Sequence, residues 1–98
     1  MEQKTSQPAT VSPTVSYTDA VTFARKHVST GRIVIEFDVP IGGWHAGTGR
    51  FWIMCSIRQL SGAREFREIQ LDGDGCVLAD RRVSQERYAE IQKKFETI

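Results

Sequence analysis

The 98-residue sequence predicts an α+β fold, a four-stranded antiparallel meander sheet with an N-terminal and a C-terminal helix. Apolar residues recur at helical spacing near both ends of the chain, and four segments with strand-like alternation lie between them. Short turns rich in glycine and serine separate the strands, which favours antiparallel pairing of consecutive strands. The predicted order is α-β-β-β-β-α, in a single domain over residues 15–98.

The first 14 residues are rich in Thr, Ser, Gln and Pro and show no periodicity, which predicts a disordered polar tail. They lack the apolar core of a secretory signal, and no segment approaches the roughly 20 apolar residues of a membrane span. We therefore expect a cytoplasmic protein with no membrane partner, unless a leader has been removed from an exported one.

Each helix has a recognisable beginning. Ser16 and Asp19 form a capping box, and Gly31 suits a left-handed C-cap, so the first helix is predicted over residues 17–30. Ser84 is predicted to cap the closing helix.

The strands are predicted from two-residue alternation. In the first strand, the residues expected to face the core are Ile33, Ile35, Phe37 and Val39. Pro40 is expected to end this strand and to begin a loop over residues 41–49. In the second strand, residues 50–60, the core residues are Phe51, Ile53, Cys55 and Ile57. Residues 65–71 and 76–82 form the third and fourth strands, joined by the hairpin turn Asp72-Gly73-Asp74-Gly75.

The charge balance disfavours a phosphate-binding surface. Thirteen Lys and Arg residues stand against 12 Asp and Glu, a formal net charge of +1. The alternative function is a nucleic-acid-binding accessory protein that uses an arginine-rich edge of strands three and four. The residues of that edge are Arg64, Arg67, Arg81 and Arg82. Acidic residues alternate with these arginines, so a salt-bridged, solvated edge is the favoured interpretation.

No cofactor, metal or catalytic site is expected. The acidic turn that begins at Asp72 lacks the EF-hand residues, because its fifth, sixth and twelfth positions hold Cys76, Val77 and Val83. The soft zinc ligands fall on four separate elements: His27, His45, Cys55 and Cys76. Both cysteines are expected to be buried free thiols. A hydrolytic role for Cys55 or His45 is a further hypothesis without an orienting carboxylate, and we expect a protein that is not an enzyme.

The glycine-rich segment over residues 42–49 contains Trp44 and His45. Two interpretations stay open: Trp44 folds back into the core, or it is presented as an aromatic anchor for a partner.

Strand parity indicates a second surface. Trp52, Met54 and Arg58 point away from the predicted core, in an aromatic, Met and Arg patch typical of interfaces. We expect both helices on the opposite face, which leaves this patch free. With one helix on each face, the patch would instead be core.

Residues 15–82 contain a helix with Asp19-Ala20 and Phe23-Ala24-Arg25, then Gly31 and a strand. The same segment ends with a strand over residues 66–72, the turn Gly73-Asp74-Gly75 and a further strand that contains Val77-Leu78. This pattern resembles a PepSY-type domain. The resemblance implies a non-catalytic binding module of inhibitory or regulatory character.

These observations predict a small, non-enzymatic protein-interaction module, an inhibitor or a regulatory subunit. Its partner is expected to be another protein or a second copy in a homodimer. The residues expected to bind the partner are Trp44, His45, Trp52, Met54 and Arg58.

Overall fold

A computed structural model describes residues 12–96 and confirms the predicted α-β-β-β-β-α order. The elements are α1 (Tyr17–Val28), β1 (Val34–His45), β2 (Arg50–Gln59), β3 (Arg64–Leu71), β4 (Val77–Val83) and α2 (Gln85–Glu96). The strands lie in the order β1-β2-β3-β4, and each pair is antiparallel, so the predicted meander is confirmed. Neither helix of the described chain is long and apolar enough to cross a membrane.

Both helices begin at their predicted serine caps. The Ser16 hydroxyl oxygen accepts a hydrogen bond from the Asp19 backbone N–H at 3.0 Å, and Ser84 accepts one from Arg87 at 3.1 Å. Upstream of α1, the Thr14 backbone N–H donates to the carbonyl oxygen of Gly73 at 2.8 Å, which joins this segment to the turn between β3 and β4. Residues 1–11 of the predicted tail lie outside the described residues.

Strand β1 does not end at Pro40, as predicted, but continues to His45. The chain passes the proline through an irregularity between Asp38 and Ile41, where two residues of β1 face one residue of β2. Proline is tolerated there because β1 is an edge strand and the bulge needs no ladder hydrogen bond from it. The predicted nine-residue loop is therefore only a four-residue turn over residues 46–49.

A second irregularity in β1 changes which residues reach the core. The register shifts between Val34 and Glu36, so the simple alternation predicted for this strand is wrong. Ile33 and Ile35 are 62% and 51% exposed. Phe37 and Val39 pack against the α1 core as predicted, and Val34 and Trp44 pack there in place of the two isoleucines.

The two helices lie on opposite faces of the sheet, so the expectation that both cover one face is wrong. The face covered by α1, here the α1 face, holds Ala20, Ala24 and Val28 packed against the odd-numbered residues of β2. The opposite face, here the α2 face, holds Met54 beneath Tyr88 and Ile91. Because the even-numbered residues of β2 also include large apolar side chains, covering them with α2 gains hydrophobic free energy.

A candidate binding groove beside strand β1

A groove of about 440 Å³ opens where β1 and β2 meet at their hairpin end. Its volume falls within the range of sites that hold small molecules or single side chains. The residues that line it are Ile41, Gly42, Gly43, Trp44, His45, Thr48, Arg50, Trp52 and Gln70. Most belong to β1 and β2, so the antiparallel hairpin of these two strands forms the groove.

The groove is open because Gly43 has no side chain. Gly43 lies directly opposite Trp52 in the β1–β2 register, so a side chain at position 43 would share the face of the tryptophan. A Cβ atom placed there would meet no atom within 4 Å, and the Gly43 φ angle is not positive. Neither packing nor backbone conformation therefore requires glycine at this position.

Gly42, in contrast, is required by packing. A Cβ atom at position 42 would overlap the Tyr17 hydroxyl group and come within 3.0 Å of the Trp52 carbonyl oxygen. This glycine lets α1 approach the edge strand. The two adjacent glycines thus serve different purposes, one for the fold and one for the groove.

The aromatic wall of the groove is held in place by a hydrogen bond. The Trp52 indole N–H donates to the Glu68 carboxylate, which also accepts two hydrogen bonds from Arg81, at 2.9 and 2.7 Å. Burial by itself would raise the pKa of Glu68, but the hydrogen bonds from Trp52 and Arg81 outweigh it and hold this pKa below its usual value. The wall is therefore a fixed indole whose carboxylate partner is already neutralised by Arg81.

The rim of the groove carries a positive charge. Arg50 donates a hydrogen bond to the side-chain oxygen of Gln70 at 2.9 Å. It forms no ion pair with the described side chains, and no Asp or Glu is among the residues that line the groove. The groove therefore combines an apolar, aromatic wall with a cation that no carboxylate of residues 12–96 pairs with, an arrangement complementary to an anion next to an apolar group.

His45 is fixed in the hairpin turn. Its Nδ1 atom accepts a hydrogen bond from the Thr48 backbone N–H at 3.2 Å, and the Thr48 hydroxyl oxygen lies 3.1 Å from the same nitrogen. Acceptance at Nδ1 assigns the proton of the neutral ring to Nε2. His45 is exposed, so this N–H is available to a partner.

Trp44 packs into the core, although it also contributes to the groove lining. Its ring makes an edge-on contact with Phe51, with the ring centroids 4.9 Å apart, and it joins the α1 core while remaining half-buried. The tip of the indole lies over Gly73, in the turn between β3 and β4. Of the two interpretations left open by the sequence, the packing favours the one in which Trp44 closes the end of the core.

The five residues predicted to bind a partner are divided by the structure. Trp44, His45 and Trp52 line the groove, whereas Met54 is completely buried under α2 and does not belong to a free patch. Arg58 does not line the groove, and its guanidinium lies 3.3 Å from Glu36. The sequence interpretation also missed Gly43, Arg50 and Gln70. The only signal for them was the glycine pair, and its meaning depends on the strand register.

The arginines of the alternative nucleic-acid edge are each paired with a carboxylate. The pairs are Arg64–Glu36 at 3.3 Å, Arg67–Asp80 at 2.8 Å, Arg81–Glu68 at 2.7 Å and Arg82–Glu65 at 2.7 Å. In the strand register, Arg67 lies opposite Cys55 on the α1 face, while Arg81 lies opposite Glu68 on the α2 face. The four arginines therefore do not form one basic surface, and nucleic-acid binding stays a hypothesis.

The structure separates the groups of the hydrolytic hypothesis. Cys55 is buried in the α1 core, where burial raises the pKa of its thiol to about 12, whereas His45 lies exposed in the hairpin turn. Cys76 is exposed, so the prediction that both thiols are buried is wrong for this residue. Within residues 12–96 no group of three or more His, Cys, Asp or Glu side chains is placed to hold a metal ion.

Comparisons of this chain with protein-family models, with curated proteins and with solved structures find no match. The resemblance to PepSY-type domains therefore stays a prediction.

Proposed function

We propose that this chain is a small protein-interaction domain, an inhibitor or a regulatory subunit, that holds part of its partner in the groove beside Gly43. The observation that carries the proposal is that the groove is kept open by a glycine that neither packing nor backbone conformation requires. A side chain at this position would fill the groove without disturbing the fold. A glycine inside a strand lowers the stability of the strand relative to alanine. A stability cost of this kind, in exchange for an open groove, is expected of a binding site.

The residues around the opening support the same proposal. Tryptophan and arginine are among the residue types most enriched at the energetic centres of protein interfaces, and Trp52 and Arg50 both line this groove. Trp52 is held by Glu68, and the turn that carries His45 is braced by Thr48. A partner would therefore bind to a pre-organised site and would lose little of its binding free energy to ordering the groove.

The proposal is tested by selecting ligands without assuming their sequence. A displayed library of random peptides is selected on the wild-type chain, and the enriched peptides are then titrated against the wild type and against Gly43→Val. We expect at least tenfold weaker binding to Gly43→Val, because the new side chain fills the groove. Thr18→Val is the matched control, since it places the same side chain on exposed α1, and it should bind like the wild type.

Two results would count against the proposal: a selection that yields no binding peptides, or peptides that bind wild type and Gly43→Val equally. The same variant examines self-association. If the partner is a second copy of the chain, sedimentation velocity will show a concentration-dependent dimer that Gly43→Val dissociates and Thr18→Val does not.

A further inference from the structure

We infer that the partner segment in the groove is an extended peptide that adds as a fifth strand to the free edge of β1. It inserts an apolar side chain over Gly43 and places an acidic side chain two residues away, within reach of Arg50. This inference rests on the proposed function and specifies the chemistry of the partner.

The edge of the sheet is available beside the groove. Strand β1 is the first strand of the sheet and pairs with β2 along one side only, so its other side presents backbone donors and acceptors that no described strand uses. Gly42 and Gly43 have no side chains of their own at this edge, and the α2 face of Gly43 is open. Extended peptides commonly bind such edges by completing the backbone hydrogen bonds.

Only one part of β1 is regular enough for this pairing. The register shifts between Val34 and Glu36 and again between Asp38 and Ile41, and bulges of this kind disfavour the addition of a strand. From Ile41 to His45 every residue pairs with β2 in sequence. This regular stretch of five residues contains the glycines and borders the groove.

The register of the sheet determines where the side chains of an added strand would lie. A residue paired with Gly43 would direct its side chain to the same face as Gly43 and Trp52, about 5 Å from the glycine, because directly paired residues share a face. That side chain would occupy the groove. Since Trp52 forms its wall, an aromatic or large aliphatic side chain fits best.

The next residue of the added strand on the same face would lie two positions away, opposite His45 or Ile41. His45 pairs with Arg50, so a residue opposite His45 would lie two strand spacings, about 10 Å, from Arg50 on the same face. An acidic side chain there comes within reach of the guanidinium when Arg50 turns from Gln70 of β3 towards β1. Arg50 has no carboxylate partner among the described side chains, and Glu68 is already bonded to Arg81. Charge complementarity therefore favours Asp or Glu at this position. The expected peptide motif is an apolar residue, any residue and an acidic residue, read either from the N-terminus or from the C-terminus of the peptide.

The test uses two acetylated and amidated nine-residue peptides with the central sequences Phe-Thr-Glu and Glu-Thr-Phe flanked by threonines. Binding to the full chain is followed by two-dimensional amide NMR. We expect one of the two peptides to bind the wild type. Replacing its Glu by Gln should weaken binding about fivefold at low ionic strength. The same replacement should have no effect on Arg50→Gln, which removes the charge while keeping a polar side chain.

N-methylation of the peptide tests the strand addition. An edge pairing uses every second peptide N–H, so methyl groups at alternate positions should abolish binding while those at the intervening positions should not. Tolerance of N-methylation at every position would overturn the strand addition. An equal effect of Glu→Gln on wild type and Arg50→Gln would overturn the acidic contact.

The failure of this inference can be distinguished from failure of the proposed function. If library-selected peptides lose affinity for Gly43→Val but neither designed peptide binds, the strand inference is wrong and the groove remains the binding site. If no peptide of either kind depends on Gly43, both are wrong.

Discussion

Gly42 and Gly43 are neighbours in β1 but face different surroundings. Position 42 points to the α1 face, where the Tyr17 hydroxyl group and the Trp52 backbone leave no room for a side chain. Position 43 points to the α2 face, into the open groove. The sequence could predict that a glycine pair was unusual, but two adjacent glycines look alike until the strand and its register are known.

This difference predicts opposite effects on stability. Gly42→Ala should lower the free energy of unfolding by about 1–2 kcal/mol, because its methyl group overlaps Tyr17 and crowds a backbone carbonyl. Gly43→Ala, the matched control, should raise it by about 0.5 kcal/mol, since alanine restricts the unfolded chain without strain. Chemical denaturation measures both. Adding Tyr17→Phe should recover part of the loss in Gly42→Ala, and equal effects of the two alanines would contradict this account.

The two cysteines should differ in reactivity. Burial raises the pKa of the Cys55 thiol to about 12, so little thiolate forms at neutral pH and access is blocked, whereas Cys76 is exposed. Ellman's reagent at pH 8 should therefore label one thiol quickly and the second only after denaturant is added. Cys76→Ser, which keeps Cys55, should show no rapid labelling. Rapid labelling of that variant would mean that the α1 core opens readily or that Cys55 is not buried.

At the scale of single elements, β1 shows where sequence patterns stop being informative. Alternation and a proline predicted a short strand that ends at Pro40, but two bulges carry the strand on to His45. The bulge at Ile35 breaks the alternation, so Val34 shares the core face with Phe37 and Val39, while Ile33 and Ile35 are exposed. The positions of the bulges depend on how β1 pairs with β2, and the sequence of β1 alone does not reveal this pairing.

The hairpin of β1 and β2 also determines the role of Trp44. Its contacts with Phe51 and over Gly73 predict that Trp44→Ala lowers the free energy of unfolding by about 2 kcal/mol, less than for a fully buried aromatic because the ring is half-buried. Trp44→Phe should lose less than half of this amount. Thermal or denaturant unfolding measures the change. An unchanged stability in Trp44→Ala would contradict the placement of Trp44 in the core.

At the scale of the whole molecule, the element order and the meander follow from short turns, caps and alternation. The side of the sheet that each helix covers does not follow from these sequence features. The α2 face of β2 carries Trp52 and Met54 among polar residues, which is consistent with a free patch or with a second layer, and only the packing of Tyr88 over Met54 decides between them. The candidate site was predicted in part for the same reason: Trp44, His45 and Trp52 line it, but Arg50 and Gln70 meet only through the register of β2 and β3.

The charge network predicts a stability loss at low pH. Burial would raise the pKa of Glu65, but hydrogen bonds from Arg67 and Arg32 lower it overall, and Glu68 is lowered in the same way. For both glutamates, the pKa in the folded state lies below the pKa in the unfolded state. These carboxylates therefore stabilise the fold above about pH 4.5, and this contribution is lost as the pH falls through the folded-state pKa. The free energy of unfolding should therefore fall steeply below that pH.

The variants Glu65→Gln and Glu68→Gln should flatten this decline in urea titrations between pH 3 and 6. Glu90→Gln is the matched control, since the Glu90 side chain is 62% exposed. An equally steep decline in the two buried-site variants and in the control would contradict the assignment of the acid sensitivity to these carboxylates.

Amide hydrogen exchange of the full chain, with and without a library-selected peptide, shows whether a partner binds in the groove beside Gly43. Binding in the groove should slow exchange at residues 41–45 and 50–52, leave the exposed face of α1 unchanged, and produce no slowing in Gly43→Val at the same peptide concentration. Slowed exchange that maps to α1 or β4, or that persists in Gly43→Val, would contradict the account.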